Sequence, residues 1–136
     1  MIDVPLRDVP LRAAYERDGY VFPLEVMTPA RAAAHRTILE SVEAAHAEDA
    51  VASKIVKGFA SIVLPVVDEI MRLPSVLGPV KEILGDDLLV MGANLFIKEP
   101  ATPAFVSWHQ DLTYWGYDDA LEVTAWVALT TATPDN

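Results

Sequence analysis

The chain has 136 residues, 52% of them hydrophobic, which is enough for one domain with a real core and too few for two ordinary ones. A formal net charge of −10, with ten cations scattered along the chain, argues against nucleic acid as a partner and disfavours a polyanionic substrate. Without cysteine there is no disulfide framework, thiolate metal site or thiol nucleophile. The opening residues, Met1 to Asp8, lack both the basic region and the continuous apolar core of a signal peptide, and no apolar run approaches a membrane span. A cytoplasmic protein without membrane contact is the expectation.

In chain order, Leu11, Ala14 and Tyr15 followed by Gly19 predict a short amphipathic helix ended by glycine. Tyr20-Val21-Phe22 reads as a short strand. Thr28-Pro29 is a helix start, a capping hydroxyl followed by proline in the first turn, and Ile38, Leu39, Val42 and Ala45 mark an apolar face running to about Ala47. His35 and His46 lie on this helix about 16 Å apart along its axis, too far to share one ion, and read as partly solvated flank residues. Lys54 to Phe59 fits no single period. Ile62 to Leu73 reads as a buried helix interrupted at Pro65, and Pro74 to Leu84 as another stopped by Gly85. Strands are then predicted over Leu88–Lys98, Val106–His109 and Leu121–Thr131, separated by a proline-containing loop from Glu99 to Phe105 and an aromatic loop reaching Asp119.

The stretch Trp108-His109-Gln110-Asp111 carries the chemistry. On an extended backbone, residues two apart project to one face, so His109 and Asp111 would present an imidazole and a carboxylate together. These are two of the three ligands of the 2-His-1-carboxylate triad that leaves open positions on non-haem Fe(II). The third ligand, a second histidine, would be sought downstream, and no histidine follows His109 in these residues.

Taken together, Asn94-Leu95-Phe96-Ile97-Lys98-Glu99-Pro100, Trp108 to Trp115, Leu121 to Leu129 and Ala132-Thr133-Pro134-Asp135-Asn136 resemble the phytanoyl-CoA dioxygenase family. Asp18-Gly19-Tyr20-Val21-Phe22 extends the likeness more loosely towards the start. The resemblance implies an Fe(II)- and 2-oxoglutarate-dependent dioxygenase that uses dioxygen to hydroxylate a small-molecule substrate, with His109 and Asp111 as iron ligands. By the same resemblance, Trp126 would line the 2-oxoglutarate pocket and Lys57, with Lys54 a poorer choice, would reach 2-oxoglutarate. Asn94, an amide within an apolar strand, needs a partner when buried, which a cosubstrate carboxylate, a metal-bound water or a neighbouring backbone group would supply. Tyr114 and Trp115, with Tyr117, would cover the substrate. Related halogenases place a small residue where Asp111 stands, so hydroxylation is the implied reaction. The acidic balance argues against reading a coenzyme A thioester into the family's name.

The fold implied is α+β: N-terminal helices, over about 8–85, packed on part of a double-stranded β-helix of the jelly-roll or cupin kind, over about 86–136, within one domain spanning 1–136. Three substantial strands and one short one fall well below the roughly eight that close such a barrel. Thr133-Pro134-Asp135-Asn136 also reads as a turn into a further strand. The expectation is therefore an N-terminal portion of a longer enzyme, with the distal histidine and a 2-oxoglutarate-binding arginine beyond Asn136 and with exposed sheet edges prone to self-association. Two other readings fit the same residues: a catalytically inactive truncated product, and a non-enzymatic interaction module completed by a partner chain. A zinc hydrolase does not fit, since no His-Glu-x-x-His or comparable cluster occurs.

Overall fold

The computed structural model describes residues 10–103, 105–118 and 121–133. The N-terminal two-thirds of the described chain form six helices, in much the places the sequence marks. Helix α1 (Leu11–Asp18) is closed by Gly19 at φ 79°, a left-handed position that glycine occupies without steric cost, with its amide donating to the Tyr15 carbonyl at 2.8 Å. Helix α2 (Pro29–Ala45) begins where the Thr28 hydroxyl accepts from the Arg31 amide at 3.3 Å. The ambiguous stretch after it is helical: in α3 (Ala50–Gly58) the Asp49 carboxylate caps the Val51 and Ala52 amides, both at 2.9 Å. A capping aspartate ahead of Ala-Val-Ala was the signal available for this helix.

Pro65 divides the next apolar run into α4 (Ala60–Val63) and α5 (Pro65–Met71), because its ring fits the first turn of a helix and is costly in the interior. Helix α6 (Pro74–Leu84) follows, ends at Gly85 and packs on α1, whose Leu11 amide donates to Glu82 at 3.0 Å. Leu39, Val56, Ala60, Leu64, Val66, Val67 and Ile70 converge into the core, so helices α2 to α5 each contribute. Arg31 to Glu69 (2.7 Å) and Lys57 to Glu43 (2.6 Å) tie α2 to its neighbours, but as half-exposed pairs they contribute little.

The apolar face of α2 is rotated from the one expected. Ile38 is 48% exposed, and His35 takes a buried place at 5% exposure. Neither ring nitrogen of His35 has a hydrogen-bond partner, so the histidine expected on a solvated flank is a buried polar group without compensation. His35→Leu should therefore stabilise the protein, by about 1 kcal/mol, since it removes the desolvation cost and improves helix propensity. Thermal unfolding followed by circular dichroism checks this; a lowered midpoint would show that the imidazole is satisfied in solution.

The larger correction concerns the sheet. Among the described residues there is no strand, so the α+β fold with part of a double-stranded β-helix is not what this chain forms: the structure is helical, with irregular segments after α6. A ladder requires a second strand at about 4.8 Å, supplying carbonyls and amides in register. The backbone of residues 88–98 meets a helix instead: the Leu95 amide donates to the Lys57 carbonyl of α3 at 3.0 Å, and the Ala93 amide to the Ser61 hydroxyl at 3.2 Å. The period of two survives in burial. Ala93 and Leu95, and likewise Val127 and Leu129, pack against the helical core, while Asn94, Phe96, Trp126 and Ala128 between and beside them stay exposed.

Candidate metal site

His109 and Asp111 are brought together, by a route other than strand alternation. Asp111 has helical torsions (φ −59°, ψ −39°) and precedes a single helical turn, α7 (Leu112–Trp115), ended by Gly116 at φ 68°. The chain thus turns at Asp111, and the expected aromatic loop begins as a helix. The turn sets His109 Nε2 at 3.1 Å from Asp111 Oδ1. Tyr114, one turn on, places its ring 6.0 Å from the imidazole at an interplanar angle of 70°.

Each of the two groups is held from behind. His109 Nδ1 lies 2.8 Å from the Ser107 carbonyl, which can only accept, so Nδ1 carries the hydrogen and donates it. In the neutral ring this leaves the Nε2 lone pair facing Asp111. The second carboxylate oxygen, Oδ2, accepts a short hydrogen bond from the Thr124 hydroxyl, and Glu122 Oε1 stands 3.2 Å from the same hydroxyl. Sequence reasoning assigned neither Ser107 nor Thr124 a part in the site. Ser107 acts through its backbone and leaves no side-chain signal. Thr124 lies thirteen residues beyond Asp111, and its parity with Trp126 alone does not point to Asp111.

The protonated imidazole is favoured above the ordinary 6.5, foremost because Ser107 accepts from Nδ1; desolvation opposes the rise and the Asp111 carboxylate adds to it. A cation between Nε2 and Oδ1 would replace that proton. Metal–nitrogen and metal–oxygen bonds of about 2.1 Å at a right angle place the two donors about 3.0 Å apart, which the observed separation fits. A backbone carbonyl behind the imidazole is also the usual support of a ligating histidine. The donor set and its spacing therefore fit a divalent metal, as two adjacent ligands.

The remaining candidates are dispersed. Among the described residues no third His, Asp or Glu joins the pair in a metal-sized group. His35 is enclosed in α2, and His46 Nδ1 is occupied by the Val42 carbonyl at 2.8 Å. The Lys57 ammonium is paired with Glu43, and reaching a cosubstrate would require breaking that contact. Asn94 is exposed on the irregular segment after α6, so its amide does not face the burial that would have demanded a partner. Trp126, Tyr114, Trp115 and Tyr117 are all exposed. A concavity of about 520 Å³ between Phe96, Lys98, Phe105 and Val106 does not include His109 or Asp111.

Among the described residues the chain forms a helical scaffold that brings His109 and Asp111 together on an irregular segment. The family model for phytanoyl-CoA dioxygenase (PhyH) matches residues 15–136, and the chain belongs to that family. No match was found among curated proteins or solved structures. Membership places the chain in a family of oxygenases that depend on Fe(II) and 2-oxoglutarate and act on small molecules with dioxygen. Among the described residues, no helix is long and apolar enough to cross a membrane.

Proposed function

We propose that the chain supplies the first histidine and the carboxylate of the iron site in a non-haem Fe(II)- and 2-oxoglutarate-dependent dioxygenase that hydroxylates a small organic substrate. The observation carrying this reading is the His109–Asp111 pair, at chelating separation and held from behind on both sides. Bound iron would couple decarboxylation of 2-oxoglutarate to succinate with insertion of an oxygen atom from dioxygen into a C–H bond. His109 contributes the neutral Nε2 lone pair, and the Ser107 carbonyl fixes the tautomer that exposes it. Asp111 contributes Oδ1 and neutralises one charge of the ion. That carboxylate occupies the position a halide would need, which favours hydroxylation over halogenation.

Trp126 and Asn94 are assigned to the cosubstrate side, Trp126 because it shares the outward parity of Thr124, which touches Asp111. Tyr114 and Trp115 are assigned to the substrate side, Tyr114 by its edge contact with His109. Lys57 joins the cosubstrate only by exchanging Glu43 for its carboxylate. With two protein ligands gathered among the described residues, the 136-residue chain should bind Fe(II) weakly and release no succinate by itself.

An anaerobic Fe(II) titration of the chain at several pH values tests the site. One ion per chain is expected, with an affinity that is fully developed above the raised His109 pKa and falls as pH drops below it. One proton is displaced from Nε2 per ion bound, so the loss approaches about tenfold per pH unit. Asp111 is the charged group directly facing the imidazole. Affinity independent of pH between 5 and 8, to within about threefold, would remove His109 from the site. For the hydroxylation reading of a longer parent enzyme, succinate release undiminished by a chelator is the contrary result.

A further inference from the structure

We infer that Thr124 is a positioning residue of the metal site: its hydroxyl holds Asp111 Oδ2 so that the carboxylate meets a metal through Oδ1 alone, beside His109 Nε2. The inference rests on the proposed metal site and adds a residue and a task to it. A free aspartate beside a divalent ion can rotate and bind through both oxygens, which consumes two coordination positions and widens the angle to its neighbour. In this chain the carboxylate is divided. Oδ1 faces His109 Nε2 at 3.1 Å, and Oδ2 accepts the Thr124 hydroxyl.

The hydroxyl has one hydrogen and two carboxylates within reach. Both Asp111 Oδ2 and Glu122 Oε1 are acceptors to it, Glu122 at 3.2 Å. Thr124 is thirteen residues beyond Asp111, and the contact fastens the segment carrying Trp126 to the turn carrying the two donors. Helix α7 cannot do this for Asp111, whose side chain makes no capping bond to it. Thr124 itself is exposed, so its hydroxyl is not required to satisfy a buried group. Besides fastening that segment, the contact fixes the orientation of the ligand.

Anaerobic Fe(II) titration of the full chain and of Thr124→Val, Thr124→Ser and Asp111→Ala separates the possibilities. Thr124→Val keeps the shape and removes the donor, and should weaken binding by about 10- to 100-fold, the range for loss of a group that orients a ligand. Thr124→Ser restores the donor and should bind within about threefold of the unsubstituted chain. Thermal unfolding of the valine variant should match that of the unsubstituted chain, showing that the lost affinity is not lost structure. Asp111-dependent binding that Thr124→Val leaves unchanged, or that serine fails to rescue, overturns this inference and leaves the metal site standing. Absence of Asp111-dependent binding in the unsubstituted chain overturns the metal site and this inference with it.

Discussion

Asp111→Ala is expected to reduce Fe(II) binding below detection while leaving the helical fold intact. The carboxylate faces His109 on one side and Thr124 on the other, and it neither caps α7 nor enters the core. Without it the ion keeps one neutral nitrogen donor and no anionic ligand, and a single imidazole holds Fe(II) no better than a surface histidine. The structural cost is that of a half-exposed position outside the core, about 0.5 kcal/mol, because water can take over the Thr124 hydroxyl. Isothermal titration with Fe(II) under argon and a thermal melt of the same sample measure both parts. Undiminished binding would mean that the carboxylate is not a ligand; a collapsed melt would mean that the Thr124 contact holds the segment and not only the ligand.

The chain should also associate with itself, by a different cause from unpaired sheet edges. Trp108 is 98% exposed, Leu89 87% and Phe105 83%, and Phe96, Val106, Leu121 and Trp126 on the same C-terminal segments are exposed as well. Apolar surface on this scale is seldom left to water. The charge of −10 opposes association by mutual repulsion. Salt screens that repulsion and strengthens apolar burial, so the weight-average mass should rise both with protein concentration, on the order of 10–100 μM, and with added sulfate. Sedimentation velocity at two salt concentrations decides this. A monomer at every concentration, or association that dissolves in salt, would show that these side chains are covered within the chain or that charges make the contact.

The helix boundaries and the proximity of His109 to Asp111 were legible because they depend on local order. Gly19, Thr28-Pro29, Pro65 and Gly85 act on the backbone within a turn of themselves, and the helices begin and end there. His109 and Asp111 are two residues apart, so a short path brings them together whether the backbone is a strand or, as here, a turn into a helix. The alternation around Leu95 and Val127 shows in the burial, but the side turned to the core is that of Leu95 and Val127, while Asn94 and Trp126, expected to face inward, are exposed. Alternation specifies faces and not partners: a ladder is a contact between distant segments, and the amide of Leu95 bonds to Lys57 in a helix instead of to another strand. The same limit explains His35, whose burial depends on how α2 is rotated against its neighbours, and Lys57, whose ammonium is claimed by Glu43 on another helix. It explains Thr124 above all, because its hydroxyl meets Asp111 only when the tertiary structure folds residue 124 back onto it.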